Sequence, residues 1–353
     1  MPGQPITPTT PTPSKPTMRT VANHAGVSHQ TVSRVVNGDP TVTGPVRDRV
    51  VASMSALGYR PSAGGRAMAR GRTEVVGLVI PHDPGFAFAN DHLIRMMTGA
   101  EQELAARGYG MLLSTREASK DPASAYRRFD RRRLVDGLIV EGGAGTAALP
   151  RLVELGYPVV VIGYTEDDIP MVHPDDEGGA YAVAQHLLAL GHRRIGVVNG
   201  PPESRLGMAA RLRGVRRAFA DARVDLAPEL IDSGDFTFDS GYAAATRLMD
   251  VPEPPTAIFA FNDAMALGVM RRLRETGRSV PGDVSVAGFD DTSAAVLAET
   301  PLTSVALQSV DLGRRAAQIL LDLLDGDSAH NDETVMAGRL MVRASTAPPS
   351  AVL

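Results

Sequence analysis

The sequence contains no cysteine and no tryptophan, and only 5% of its residues are aromatic. Without cysteine there are no disulfides, no thiol nucleophile and no cysteine metal ligands. Without tryptophan, any aromatic face for a ligand must come from Phe, Tyr or His. No apolar run is long enough to span a bilayer. The N-terminus lacks a basic segment followed by an apolar core, so a secretory signal is not expected and a soluble cytoplasmic protein is the default. The eight histidines are scattered, with no HExxH-type spacing for a metal. No cofactor is expected. The chain ends in LMVRASTAPPSAVL without a leucine heptad, so a tetramer built on such a tail is not expected either. Charge of one sign is also missing overall: the formal net charge is -4, so binding to a polyanion would need a local concentration of positive charge.

What is present divides the 353 residues into unlike parts. Residues 1–16, MPGQPITPTTPTPSKP, are proline- and threonine-rich and read as a disordered tail. From Thr17 two short helical patterns flank Gly26. A third follows, with Thr43 as N-cap and Val46, Val50, Met54 and Leu57 as its apolar stripe. The span 17–60 therefore reads as a small all-α domain. Between Thr17 and Arg72 eight arginines face only Asp39 and Asp48, a formal charge of about +6 of the kind that meets a phosphate backbone. After Arg72 apolar strand patterns at 75–80, 110–114, 136–140, 158–163, 194–199, 257–261 and 284–289 alternate with helical ones. That alternation implies parallel sheets wound by right-handed crossovers. Some 275 residues exceed one average sheet, so two lobes with a cleft are expected.

The segment VSHQTVSRVVNG, Val27–Gly38, sets Ser28, His29, Gln30, Thr31, Ser33 and Arg34 among valines at helical spacing, with Asn37-Gly38 as a stop. These polar residues are the types that touch phosphates and base edges, although an ordinary amphipathic helix would share the spacing.

The segments TVANHAGVSHQTVSRVVNG, VRDRVVASMSALGYRPS, LVDGLIV, RLRGVRRAF, PTAIFAFNDAMALGVMRRL, VPGDVSVAGFDD and LMVRAST, in this order over about residues 17–347, closely resemble LacI/GalR-family transcriptional regulators. The resemblance implies a helix-turn-helix headpiece at 17–60, a hinge helix and linker at 61–73, and a two-lobed α/β domain of periplasmic-binding-protein type at 74–347. It also implies a homodimer that binds a palindromic double-stranded operator as a repressor and answers to a small effector, most often a sugar or glycoside. No membrane partner and no enzymatic activity are implied. By resemblance Ser28–Asn37 is the recognition helix. His29 and Gln30 stand at its groove end and Arg34 one turn on. Gln suits adenine and Arg suits guanine, whereas Ser28, Thr31, Ser33 and Asn37 suit phosphates. The hinge position contains Arg66 and Met68, with Met68 where the family places a minor-groove leucine wedge. Gly64 and Gly65 depart from the usual pair there, each costing about 1 kcal/mol of helix propensity. Thr20 departs from the usual aspartate of the first helix.

The resemblance also assigns effector contacts to Arg211, Asn262 and Asp290, with Asp175 near the cleft. His92 replaces one of the usual aromatic residues of the first lobe, and Phe86 and Phe88 are candidate substitutes. Two other readings compete. Gly143-x-Gly145-x-x-Ala148 with Glu166 downstream imitates a dinucleotide fingerprint, but it follows the third strand rather than the first. Asp290-Asp291 imitates a glycosidase pair, but adjacent residues seldom reach the needed separation. A sugar-binding protein of transport type is the remaining alternative, set against it the extra helical segment and the absent signal.

Overall fold

The computed structural model describes residues 16–60, 72–116, 122–129, 134–142, 148–201, 205–326 and 333–350. Residues 1–15 of the tail expected at 1–16 and most of the expected hinge, including Arg66 and Met68, lie outside the described residues. The chain divides between Glu74 and Val75 into two units.

In the first unit α1 spans Met18–Ala25, α2 His29–Val36 and α3 Gly44–Ala56. The Thr17 Oγ1 caps α1 by accepting from the Thr20 amide at 3.3 Å, and Thr20 Oγ1 in turn accepts from the Thr17 amide at 2.7 Å. The departure at Thr20 thus completes a reciprocal cap. Gly26 ends α1 at φ +66°, a left-handed conformation that glycine adopts without the penalty of a Cβ. Val21, Ala22, Val32, Val35 and Val50 form the core, so the valines of α2 do face inward. Thr43 holds the cap position of α3, but its side chain makes no capping hydrogen bond.

The second unit contains two parallel sheets. The first has the strands β1 (Val75–Ile80), β2 (Gly110–Thr115), β3 (Gly137–Glu141), β4 (Val159–Ile162), β5 (Met171–Pro174) and β11 (Glu333–Met336) in the order β11-β5-β4-β3-β1-β2. The second has β6 (Ile195–Asn199), β7 (Ile231–Ser233), β8 (Ala257–Ala260) and β9 (Ser285–Ala287) in the order β7-β6-β8-β9. An antiparallel pair, β10 (Ser304–Ala306) with β12 (Arg339–Met341), lies where the chain passes between the lobes. Both faces of β1 are buried, which explains its unbroken apolar run. Val76, Leu78 and Ile80 face one core cluster, and Val79 joins Leu138 and Val140 in the other. The strand expectations match within a residue or two. The short strands β5, β7, β10, β11 and β12 were not anticipated.

The helices that cover the first sheet include α4 (Pro84–Ala89), α5 (Asp91–Ala106) and α6 (Leu149–Glu154), while α7 (Asp176–Ala189) and α8 (Arg205–Asp221) flank the second. Further along lie α9 (Phe238–Leu248), α10 (Asp263–Glu275), α11 (Ser293–Leu297) and α12 (Ser309–Asp325). Helix α12 returns to the first lobe and packs backbone to backbone on α5. A Cβ on Gly99 would lie 1.8 Å from the Val310 carbonyl oxygen, and one on Gly313 would lie 1.9 Å from that of Met96. Gly313→Ala is therefore expected to destabilise the unit by about 1–3 kcal/mol, despite the ~1 kcal/mol that alanine gains in helix propensity. Urea unfolding measures it, and a neutral or stabilising result would mean that the helices separate freely.

Candidate functional site: an interlobe cavity and an exposed helix

In open parallel sheets ligands collect beyond the carboxyl ends of strands where the winding reverses. Here those points lie between β1 and β3 in one lobe and between β6 and β8 in the other. Beyond β1 stands His82 and at the end of β3 stands Glu141, with Nε2 and Oε2 3.2 Å apart. Beyond β8 stands Asn262. A cavity of about 640 Å³ joins the two ends and is lined by His82, Phe86, Glu141, Asp176, Arg211 and Asn262 among others.

Arg211, on α8, is 7% exposed and held from several sides. Its Nε donates to Asp176 Oδ1 at 2.7 Å, Nη1 donates to the Phe261 carbonyl, and Nη2 lies 3.8 Å from Asp290 Oδ1. The guanidinium also stacks 3.8 Å above the Phe289 ring. Asp290 and Asp291 have φ of +101° and +51°, uncommon for residues with side chains. The turn is kept in place because the Asp290 amide donates to the Val305 carbonyl at 2.9 Å and the Asp291 amide to Ser304 Oγ at 3.1 Å. Burial pushes the Asp290 carboxyl well above the usual carboxylate range, and nearby Arg211 only partly opposes this.

The other expected contacts fare differently. Asn262 lines the cavity, but Oδ1 accepts from the Met265 amide at 2.9 Å and Nδ2 donates to the Phe236 carbonyl at 3.0 Å. One N–H of its amide is left for a ligand. Asp175 is corrected to a helix cap: Oδ1 accepts from the Gly178 amide at 2.8 Å, which directs the carboxylate to the start of α7. The wall is formed by the next residue, Asp176, because the first residue inside the helix turns toward Arg211. Phe86 lines the cavity with its ring centre 4.9 Å from that of His82, whereas Phe88 is 57% exposed. Tyr164 and Phe236, both on loops, line the cavity and had no sequence signal. Burial, then the charge of Asp176, holds the Tyr164 hydroxyl far above its usual pKa. Of the dinucleotide look-alike, Gly143 and Gly145 lie outside the described residues.

His92 also lines the cavity, with Nδ1 2.8 Å from Ser309 Oγ. Burial, then Arg211 and Arg95, push its imidazole down to about 4 from 6.5. The stability this confers is complete above pH 6.5 and is lost as pH falls toward 4. The loss is as much as about 3 kcal/mol, reduced by the partial exposure of the ring. Asp263 acts in the opposite sense. Burial raises its carboxyl to about 6 from 3.8, so its contribution is complete below pH 3.8 and is lost as pH rises through 6. Between pH 4 and 6 the two oppose each other. His92→Asn is expected to remove the acid-side loss, so that the variant gains stability relative to the parent from pH 6.5 to 4. Urea unfolding at three pH values checks this, and a difference independent of pH would contradict it.

In the first unit α2 begins with Ser28, whose Oγ accepts from the Thr31 amide at 3.0 Å and lies 2.9 Å from Thr31 Oγ1. His29 and Gln30 are exposed in the first turn, and Ser33 is half-buried. The Arg34 side chain is 62% exposed, with Nε 3.2 Å from Asp39 Oδ2. Asn37 follows the helix; its Nδ2 reaches Ser33 Oγ at 3.5 Å and its Oδ1 is buried without a hydrogen-bond partner. Core valines on one side and Gln30, His29 and Arg34 on the other give the helix a polar outer face.

Residues 17–62 match the family model described as bacterial regulatory proteins, lacI family, and residues 184–346 match that of a periplasmic binding protein-like domain. The HTH-type transcriptional regulator CelR of Thermobifida fusca is 34% identical over 336 residues, covering 94% of this chain and 98% of its own length. Catabolite control protein A of Priestia megaterium is 32% identical over 333 residues, covering 94% and 99%. A solved CelR–cellobiose complex shares 34% identity at a TM-score of 0.72, covering 94% of this chain and 99% of that one. A lac repressor dimer bound to operator and the anti-inducer ONPF shares 27% identity at a TM-score of 0.82, covering 95% and 100%.

Proposed function

Because the chain belongs to the LacI family of bacterial regulatory proteins, and so is a DNA-binding transcriptional regulator, we propose that it is a repressor acting as a homodimer on a palindromic operator and controlled by a sugar or glycoside held between the lobes. The observation that carries this reading is the pairing, in one chain, of a valine-anchored helix with a polar outer face and a cavity centred on a buried arginine. His29 and Gln30 enter the major groove with Arg34 one turn on, Gln30 and Arg34 reading bases, and Ser28, Thr31, Ser33 and Asn37 fix register on the backbone. Arg66 and Met68 complete the DNA contacts in the hinge. Effector closes the lobes and lowers operator affinity. By linkage, operator lowers effector affinity by the same factor. A transport-type binding protein would leave residues 17–60 without a role. No helix among the described residues is long and apolar enough to cross a membrane, and we place the protein in the cytoplasm, with the DNA it controls.

Selection of duplexes from a randomised pool by the full chain tests the DNA part. Two inverted half-sites are expected, each bound by one headpiece. Recovery of unrelated sequences would remove the operator reading.

A further inference from the structure

We propose that the cavity selects an uncharged, hydroxyl-rich sugar and rejects phosphorylated or carboxylated ones, with Glu141 as a principal discriminating group. The proposal rests on the sugar-effector reading above and narrows it. Among the described residues five carboxyl groups stand on the wall, Glu141, Glu166, Asp167, Asp176 and Asp290, the last held toward its neutral form by burial. Among the described lining residues the one permanent cation is Arg211, and it is already occupied by Asp176, the Phe261 carbonyl and the nearby Asp290. His92 does not compensate, since burial and Arg211 keep its imidazole neutral at physiological pH. Burial opposes the charged form of His82 but Glu141 beside it raises its pKa, so any charge it carries is matched by that carboxylate. A phosphate or carboxylate entering this space would meet like charge at reduced dielectric, with no free cation among these groups.

Sugar hydroxyls meet the opposite situation. They donate hydrogen bonds, and the wall is rich in acceptors. Glu141 Oε2 is buried, with the His82 ring 3.2 Å away. A buried carboxylate oxygen accepts more than one hydrogen bond, so this one has capacity for a ligand donor beside His82. Beside it, Phe86 offers a flat apolar face to the C–H side of a sugar ring. The volume of about 640 Å³ lies within the range of sites for drug-sized ligands, roughly 300–1,000 Å³, and has room for more than one ring.

The test is calorimetric titration of the full chain with cellobiose, glucose and ribose, and with glucose 6-phosphate, ribose 5-phosphate and glucuronate. At least one neutral sugar is expected to bind, and its anionic counterpart to bind at least ~100-fold more weakly. Glu141→Gln, which keeps the shape and removes one charge, is expected to narrow that ratio about tenfold or more. A phosphorylated sugar that binds as tightly as its neutral counterpart overturns the charge selection and leaves the sugar reading standing. An unchanged ratio in Glu141→Gln removes Glu141 from the proposal. If no neutral sugar binds at all, the sugar reading and the proposal both fall.

Discussion

Arg211→Ala is expected to abolish the response to effector and to destabilise the second unit by about 3–5 kcal/mol, because one partner of a buried ion pair is removed and the other remains. Asp176, 3% exposed, loses the guanidinium that donates to it. The Phe261 carbonyl loses its donor, and the Phe289 ring loses the guanidinium stacked on it. Arg211→Lys restores charge, but an ammonium cannot reach Asp176, the carbonyl and Asp290 as one planar fork does. It is expected to recover part of the stability and little of the effector response. Urea unfolding and effector titration measure the two effects separately. A loss below about 1 kcal/mol would show that the guanidinium does not support the buried carboxylates, and a normal effector response in Arg211→Ala would remove it from the site.

Arg34→Ala is expected to weaken specific DNA binding by about 1–3 kcal/mol and to relax the base preference at one position of each half-site. The partner of Arg34 supplies a second arm. Asp39 holds Arg34 at 3.2 Å in the protein alone and also organises the turn after α2, where Oδ1 accepts from the Thr41 amide at 2.8 Å. Hydrogen bonds from Thr41, then Arg34 and Arg47, keep the Asp39 carboxyl below its usual range. Asp39→Asn keeps the turn but removes the charge that competes with DNA for Arg34. It is expected to bind DNA more tightly and to steepen the salt dependence. Since the Arg34 side chain is 62% exposed, folding stability should hardly change. Anisotropy of labelled duplexes over a salt series reads both variants. An Arg34→Ala protein with unaltered sequence preference would exclude Arg34 from base readout.

The parts legible in the sequence are those whose physics is local and periodic. The valines of α2 repeat with the helix and pack inward, and β1 carries a six-residue apolar run because both of its faces are covered. Short strands escaped for the complementary reason. The strands β7, β10 and β12 have three residues each, and their pairing is imposed by the sheet rather than by their own pattern. Asp175 and Asp176 show the limit at the level of the site. Adjacent aspartates are indistinguishable until the helix start is placed, and one residue decides which caps and which faces Arg211. Asn262 was recognisable as a residue after a strand, but its oxygen and one of its N–H groups already bond the Met265 amide and the Phe236 carbonyl, leaving only part of its capacity for a ligand. Tyr164 and Phe236 reach the cavity from loops, where no period points to them.

The most direct test of effector-controlled DNA binding is one titration. A duplex selected by the full chain is labelled, and its dissociation constant is measured with and without a saturating concentration of a neutral sugar that raises the protein's melting temperature. The sugar is expected to weaken operator binding at least about fivefold, the lower end of common allosteric coupling. Arg211→Ala is expected to bind the duplex equally with and without sugar. Operator affinity that stays constant while the cavity is demonstrably filled would contradict the account.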